Sequence, residues 1–583
     1  MQIDEMPVCD YITEFFIRHG THDVFGYPGG MITRLMDSFT RYNQNITAHL
    51  NYHEQASAFC ACGYAQIMQK PGIAYSTSGP GATNLITGIA NAYYDSIPCI
   101  FITGQVNTYE ARGHLNVRQK GFQECDIVSI VNPITKYAVR IDDARDICYE
   151  LEKAYFLSMD ERPGPVLLDV PFNIQREMIN PRELRQYVPT NNCSEADINY
   201  DDIVNLIYEH IGASKRPLIL AGAGIRSSGM IDHFRRFIQQ VKIPVVTSML
   251  GVDCLPDSSP YKFGFIGAYG HRYANIIQAK CDLLISLGSR LDTRQTGVDT
   301  ESFAEKATFI RIDISEGELT NKIKKDEIGI RGDLRQILPR LATDHRFSFE
   351  KNSRWIDECS TIKHTLLGLD RRVPNDIVYN ISTYVPENAI ITTDVGQNQV
   401  WVAQDFHIQD RQRILFSGGH GAMGYSLPAA IGAYYAEKGP VIVFTGDGGL
   451  QMNIQELQFI QREHLPIKII ILNNSSLGMI RHFQEMYFNK IYTQTTKEYG
   501  YTVPNFCQLA NAYGIPTLYI SKIEDIAFLG EMLRGDGPLL VNVVCDTPTY
   551  VYPKLGMGRP IYDQEPLLER ECLDRLMHIE QDL

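Results

Sequence analysis

Nearly unbroken apolar runs of strand length recur along this chain: Val166-Leu167-Leu168-Asp169-Val170, Pro217-Leu218-Ile219-Leu220-Ala221, Val441-Ile442-Val443-Phe444, Ile467-Lys468-Ile469-Ile470-Ile471-Leu472 and Leu539-Leu540-Val541-Asn542-Val543-Val544. A strand with one wet face alternates apolar and polar residues. A strand covered on both faces does not, and such strands belong to parallel sheets sandwiched between helices. Helical patterns alternate with these runs throughout, which predicts α/β architecture with helices on both sheet faces.

At 583 residues the chain exceeds what one core can organise. It divides into three blocks, each expected to be a doubly wound parallel-sheet domain: residues 1–182, 200–342 and 365–548, followed by a tail over 549–583. The polar stretch Thr190-Asn191-Asn192-Cys193-Ser194-Glu195 reads as a linker, and the polar segment from Asp344 to Asp357 separates the second block from the third. In the third block the run 441–444 leads into Gly446-Asp447-Gly448-Gly449, and the run 467–472 leads into Asn473-Asn474-Ser475-Ser476. The intervening segment from Leu450 to His464 reads as the crossover helix. Both motifs therefore sit at the carboxyl ends of neighbouring strands, where open α/β sheets bind ligands. A carboxylate (Asp447), an amide oxygen (Asn474) and a nearby carbonyl are hard donors suited to Mg²⁺, which fills its remaining positions with phosphate oxygens and water. Glycines 446, 448 and 449 let backbone N–H groups approach those phosphates.

Composition narrows the class. Lys plus Arg number 54 against 68 Asp plus Glu, a net charge of −14, which disfavours nucleic acid or an anionic membrane as partner. No apolar stretch approaches the roughly 20 residues of a membrane span. The start, Met1-Gln2-Ile3-Asp4-Glu5-Met6, shows no basic or apolar leader, and 13 scattered cysteines without a CxxC suit a reduced, cytoplasmic protein.

The first block carries three loops: Gly26-Tyr27-Pro28-Gly29-Gly30 after a strand, His53-Glu54-Gln55 at the start of a helix from Ala56 to Gln69, and Ser78-Gly79-Pro80-Gly81-Ala82-Thr83-Asn84 between the strand 73–77 and a helix 82–94. Taken alone, the last is equally a phosphate cradle or a capped turn, and Glu54 is equally a residue favouring the helix dipole.

The spacing of Gly446-Asp447-Gly448 and Asn473-Asn474 resembles the thiamine diphosphate motif. The chain as a whole resembles the acetohydroxyacid synthase (acetolactate synthase) family: FGYPGG (25–30), HEQA (53–56), TSGPGATN (77–84), ITGQV (102–106), GFQE (121–124), RPGPVLLDVP (162–171), SGG and GAMG within 417–424, GDGG (446–449), MNIQEL (452–457) and ILNNSSLGM (471–479) occur in order across all three blocks. That resemblance implies a pyrimidine-binding, a central FAD- or nucleotide-binding-like and a diphosphate-binding domain. It implies that Glu54 hydrogen-bonds the cofactor's pyrimidine, with Gly29, Phe122 and Gln123 facing substrate and Tyr27, Pro28, Pro80 and Asn84 close to the cofactor. Gly396, Gln397, Asn398, Gly421, Met423, Gly446, Gly448, Gly449, Gly478 and Met479 then contact it from the third block, with Asp447, Asn474 and Ser476 on Mg²⁺. FAD is placed against Arg162, Gly222, Gly224, Gly264, Gly288, Arg290, Asp292, Arg294, Asp313 and Asp333. Because Glu54 and Asp447 serve opposite ends of one cofactor, a homodimer or homotetramer is implied.

The implied reaction decarboxylates pyruvate and joins its hydroxyethyl unit to a carbonyl acceptor, a 2-oxo acid. Four departures from the family bear on that acceptor: Asn107 replaces a proline, the stretch 105–122 is longer and carries Arg112, His114, Arg118 and Lys120, Phe172 replaces a lysine, and Phe483 replaces a tryptophan. A nucleotide-linked keto-sugar acceptor, a flavin-linked oxidase and a non-catalytic scaffold are therefore the alternatives.

Overall fold

A computed structural model describes residues 5–189, 198–344 and 353–578. The linker reading of 190–195 lies outside these residues, as does most of the polar segment after Asp344. Three six-stranded, wholly parallel sheets form, each with helices on both faces. The doubly wound class anticipated from the apolar runs is the one adopted.

The first sheet has the spatial order Thr47–Leu50, Asp23–Gly26, Gly72–Ser76, Cys99–Gln105, Pro165–Pro171, Tyr137–Arg140. The third runs Arg413–Leu415, Ile390–Thr393, Val441–Gly446, Ile467–Asn473, Leu539–Val544, Thr517–Ile520. Numbered within each sheet, both read 2-1-3-4-6-5. The middle sheet, from Lys262–Phe265 through Pro217–Ala221 to Ile328–Arg331, reads 3-2-1-4-5-6. Winding reverses beside the first strand of each sheet, which opens a crevice at the carboxyl ends there. In the third sheet that crevice lies between Ile390–Thr393 and Val441–Gly446.

The helix Glu54–Met68 packs against Ser426–Ala436 and joins the first sheet's domain to the third's. The backbones touch: a Cβ at Gly432 would meet the Cys60 carbonyl, with its carbon 2.7 Å away, and one at Gly63 would stand 2.8 Å from the Ala429 carbonyl carbon. Only glycine permits this approach.

Three sequence expectations change. The segment from Leu450 to His464 is not one helix but two short ones, Asp447–Met452 and Leu457–Arg462, split by a tighter turn over Ile454–Glu456. The split has a use. The Asn453 amide donates to the Gly424 carbonyl (2.8 Å), and the Glu456 carboxylate accepts from Tyr52 N (2.8 Å) and Asn51 Nδ2 (2.9 Å) across the domain boundary. The predicted helix 82–94 is likewise two, Pro80–Asn84 and Ile86–Tyr94. Part of the polar segment 344–357 is helical: Ser353–Leu366 buries Trp355, Cys359 and Ile362 in the middle domain's core. The tail helix Arg570–Met577 buries Leu573 and Leu576 in the same cluster.

Candidate active site

The crevice of the third sheet opens into a cavity of about 350 Å³. Its wall holds Gly396, Gln397, Asn398, Gly421, Met423, Gly446, Asp447, Gly448, Gly449, Asn474, Ser476, Gly478 and Met479, the third-block residues expected to hold cofactor and metal, whereas Phe483 lies outside it. The chain reaches this arrangement through backbone few residues tolerate. Gly396 has φ 139° and Gly421 φ 67°, both in the region that favours glycine.

Asp447 starts its short helix and is 2 % exposed. Its Oδ1 accepts from Tyr501 OH at 2.8 Å, while Oδ2 is buried without any hydrogen-bond partner. Burial raises its pKa above the ordinary carboxylate value, opposed by the Tyr501 hydroxyl and the N–H groups of Ser476, Ser475 and Gly448. A buried carboxylate oxygen without a hydrogen-bond partner is a position that a divalent cation would satisfy. Asn474 Oδ1 accepts from Ser476 N (3.1 Å), and its Nδ2 donates to Gln397 Oε1 (2.9 Å) and Thr549 Oγ1 (2.7 Å), which fixes which face of the amide is oxygen. Among the described residues no group of three or more His, Cys, Asp or Glu could hold a metal. One carboxylate, one amide and one backbone carbonyl leave a hard cation short of ligands, and phosphate oxygens complete such a set. The residues present fit Mg²⁺ carrying a diphosphate.

Three residues that sequence reasoning passed over hold this wall. Asp394, 1 % exposed, accepts from Gly424 N (2.9 Å), Ser426 Oγ (2.9 Å) and Val395 N (3.0 Å), and burial lifts its pKa to about 6. It closes the strand Ile390–Thr393, and an acid directly after a buried strand was a legible signal. Thr549 and Tyr501 come from segments remote in sequence, and no spacing rule reaches them.

A second cavity of about 180 Å³ sits at the switch point of the middle sheet. Arg162, Gly224, Gly288, Arg290, Asp292, Asp313 and Asp333 line it. Gly222 lies behind the wall, where a Cβ would stand 2.6 Å from Ser289 Cα. Arg294 lines the larger cavity instead. Gly264 lines neither; its φ of 74° and the His271 ring, 2.6 Å from where a Cβ would stand, account for the glycine. Asp313, its pKa raised by burial, caps the following turn through Ser315 N (2.9 Å), and Asp333 caps a helix through Arg335 N (2.8 Å). Arg162 is paired with Glu318, and Arg290 with Asp292 at 2.8 Å. Leu250, Asp292, Gln295 and Gly418 belong to the walls of both cavities. Asp95, pushed up to about 6 by burial, ties the first domain to this junction by accepting from Gly418 N (3.1 Å) and Gly419 N (2.6 Å).

The first-domain residues form a separate group. No residue of the first sheet's domain lines the 350 Å³ cavity. Glu54 is 7 % exposed at the start of its helix, accepts from Asn84 Nδ2 at 2.9 Å, and faces Gly81. Gly29 is extended, and a side chain there would strike Thr77, whose Oγ1 lies 2.8 Å from the Cβ position. Around Glu54 the surface is open: Tyr27 is 39 % and Phe122 81 % exposed, and Pro80 and Asn84 are exposed too. Gln123 holds φ 62° beside Gly79. The long loop is shaped from within, since Glu124 accepts from Arg112 N (2.6 Å), Lys120 N (2.9 Å) and Gly121 N (3.3 Å). Asn107 caps its first turn with Glu110, a task proline cannot perform. Phe172 lies under Arg34, and Phe483 packs on Tyr487 at 4.8 Å.

Family models match along the chain in the order of the three sheets: the N-terminal TPP binding domain of thiamine pyrophosphate enzymes over residues 6–130, their central domain over 204–341, and their C-terminal TPP binding domain over 394–543. The acetolactate synthase large subunit of Lactococcus lactis subsp. lactis (strain IL1403) is 37% identical over 547 residues, 92% of each chain. The isozyme 2 large subunit of Escherichia coli (strain K12) is 33% identical over 562 residues, 95% of this chain and 98% of that one. The chloroplastic acetolactate synthase of Arabidopsis thaliana is 34% identical over 578 residues, 95% of this chain and 84% of that one. With three domain matches and relatives above 30% identity along nearly its whole length, this chain belongs to the acetolactate synthase family of thiamine pyrophosphate enzymes.

Proposed function

We propose that this protein is a thiamine diphosphate- and Mg²⁺-dependent carboligase that decarboxylates pyruvate and transfers the two-carbon unit to a 2-oxo acid. The unpartnered, buried Asp447 Oδ2 beside Asn474 is the observation that carries the metal part of this reading. Asp447, Asn474 and the Ser476 carbonyl would hold the ion, and the glycines 446, 448 and 449 would let N–H groups meet the diphosphate. Met423 and Met479 would shape the apolar middle of the cavity. When bound, the cofactor supplies a carbanion at its thiazolium ring and accepts the electron pair released with CO₂. Glu54, buried and held by Asn84, would position a proton against the pyrimidine ring.

Since Glu54 and the cavity are separate within one chain, the first domain of a second copy would supply Glu54, and a homodimer is the minimal unit. The exposed Tyr27 and Phe122 are the apolar surface such a contact would cover. The neighbouring cavities, which share wall residues, with acids and arginines in the smaller one, would suit an extended FAD. No helix among the described residues is long and apolar enough to cross a membrane.

The test is Glu54→Gln: CO₂ release from pyruvate falls by at least two orders of magnitude, while thiamine diphosphate still binds. Wild-type decarboxylation in this variant refutes the assignment. Product analysis by mass spectrometry separates the acceptors. Acetolactate from pyruvate alone supports the 2-oxo acid, CO₂ without acetolactate favours a keto sugar, and peroxide formation favours a flavin oxidase. A protein that stays colourless with added flavin removes FAD.

A further inference from the structure

The loop 417–424 joins the strand Arg413–Leu415 to the helix Ser426–Ala436. Four of its eight residues, Gly418, Gly419, Gly421 and Gly424, are glycine, and no helix or strand runs through it. Nothing regular in its own backbone therefore fixes its path. Yet that path shapes both cavities. Gly418 stands in both walls, Gly419 in the smaller one's, and Gly421 and Met423 in the larger one's.

The loop is fixed from outside. Its far end is held within its own domain, where Asp394 accepts from Gly424 N at 2.9 Å. Its near end is held by the first domain, at the last turn of the helix Ile86–Tyr94. Ser417 Oγ donates to Asn91 Oδ1 (2.6 Å) and accepts from Ala422 N (2.9 Å). Asp95, the residue that ends the helix, takes one N–H on each carboxylate oxygen: Gly418 N on Oδ2 (3.1 Å) and Gly419 N on Oδ1 (2.6 Å). The Tyr94 ring stacks on His420, with centroids 5.7 Å apart and planes 9° from parallel. The fit is close, since a Cβ at Gly419 would stand 2.9 Å from the Tyr94 carbonyl oxygen and 3.0 Å from Asp95 Oδ1.

Two N–H donors on two oxygens is an arrangement for a carboxylate. An asparagine of the same shape has one acceptor and turns an NH₂ toward the second donor. Arg290, which donates to the Tyr94 carbonyl (3.3 Å) and pairs with Asp292, and Arg162, paired with Glu318, are the cations that favour the ionised form. Arg226 and Arg413, both on Asp253, and Glu161, Asp313 and the Asp333–Arg335 pair stand across the hollows that Asp95 borders. Burial disfavours protonation of His420 and ionisation of the Tyr425 hydroxyl. Desolvation outweighs the arginines and the two N–H groups and puts the ionisation of Asp95 at about 6, so the carboxylate form prevails at neutral pH. Asp95 lines the smaller cavity and not the larger. Resting on the thiamine diphosphate reading above, we propose that Asp95 is a positioning residue for the cofactor site: its carboxylate clamps the loop 417–424 to the first domain and thereby sets Gly421 and Met423 against the larger cavity.

The experiment titrates thiamine diphosphate calorimetrically, at fixed Mg²⁺, into the full chain freed of cofactors. Wild type, Asp95→Asn, Gly419→Ala and the double variant are compared at pH 7.5 and pH 5. At pH 7.5 D95N should bind about 10-fold more weakly than wild type, since one bond to a charged acceptor is gone. At pH 5 the two should agree within about twofold, because the wild-type carboxyl is then itself protonated. A side chain that only filled space would give the same ratio at both pH values. G419A pushes the loop off the same carboxylate, so it should weaken binding by a similar factor at pH 7.5, and the double variant should bind no worse than either single one. Should D95N not fold, the ratio of G419A to wild type carries the test and must likewise shrink at pH 5. Wild-type affinity in D95N at pH 7.5, a ratio that ignores pH, or losses that add in the double variant overturn the proposal and leave the thiamine diphosphate reading intact. A wild type that binds no thiamine diphosphate overturns both.

Discussion

Substituting Gly478 by alanine tests the proposed metal site without replacing a proposed ligand. A methyl there would strike the Gln397 amide, whose Oε1 it overlaps and whose Cδ lies 2.6 Å away, and would stand 2.7 Å from Asn474 Nδ2. Gln397 Oε1 is the shared acceptor of the Asn474 amide (2.9 Å) and the Thr549 hydroxyl (2.6 Å), so displacing it removes two buried bonds together. Asn474 Nδ2 retains Thr549 Oγ1 at 2.7 Å, which places the loss at the lower end, about 2–3 kcal/mol. If that loss falls on the bound state, thiamine diphosphate binds about 30- to 150-fold more weakly at fixed Mg²⁺. Calorimetric titration of the cofactor-free protein measures it. Gly439→Ala is the control, since a Cβ there meets nothing within 4 Å. G478A binding as tightly as G439A would mean that the helix Gly478–Tyr487 shifts freely and that the Gln397–Asn474–Thr549 cluster does not preorganise the ligand.

Asp447→Asn should retain the Tyr501 bond, yet abolish the rise in Tm that Mg²⁺ and thiamine diphosphate produce in the wild type. In the cofactor-free state at pH 8 it should melt at or above the wild type, because the Asp447 carboxylate is harder to ionise folded than unfolded. The cofactor-free protein should also lose heat stability as pH rises from about 5 to 8, because four carboxyls raised by burial outweigh two histidines lowered by it. Asp95 and Asp394 rise to about 6 and Asp169 and Glu456 to about 7 on burial; each binds its proton more tightly folded than unfolded, so their contribution is complete below about pH 4 and disappears as pH climbs through 6–7. His271 and His482 drop to about 4 on burial, so their contribution is present above the ordinary histidine range and is lost as pH falls toward 4. Melting scans from pH 5 to 9 that rise steadily toward alkali would show that these carboxylates are not the controlling groups.

Sequence carried most of the third sheet's site because its ligands lie in two strand-end motifs. Once Val441–Phe444 and Ile467–Leu472 were read as adjacent buried strands, Asp447 and Asn474 had to converge. The periodicity of the crossover failed for a physical reason: Glu456 serves Asn51 and Tyr52 of the first domain while Asn453 reaches the Gly424 carbonyl within its own, and a continuous helix would aim them elsewhere. The same limit hid Thr549 and Tyr501. Each meets its partner through tertiary contacts more than fifty residues distant, and neither sits in a pattern that helix or strand geometry produces. Gly264 misled for the opposite reason. Its glycine answers to the His271 ring and a positive φ, and it lines neither cavity.

The shared 2-1-3-4-6-5 order of the first and third sheets explains why one chain leaves its two half-sites apart. Both open a crevice at the same topological place, one bordered by Gly26–Gly29 with Glu54 nearby, the other by Asp394–Gly396 with Asp447. Within the chain the two domains are joined through the helices Glu54–Met68 and Ser426–Ala436, locked at Gly63 and Gly432. That contact is spent on helix against helix and leaves the Glu54 face exposed. In the proposed dimer each chain would present one donor face and one receiving cavity. A two-fold pair satisfies both at once and closes, whereas a head-to-tail contact between the same surfaces would leave one of each exposed and propagate. The glycine-locked helix pair holds the first domain away from the chain's own cavity, the arrangement the proposed dimer requires.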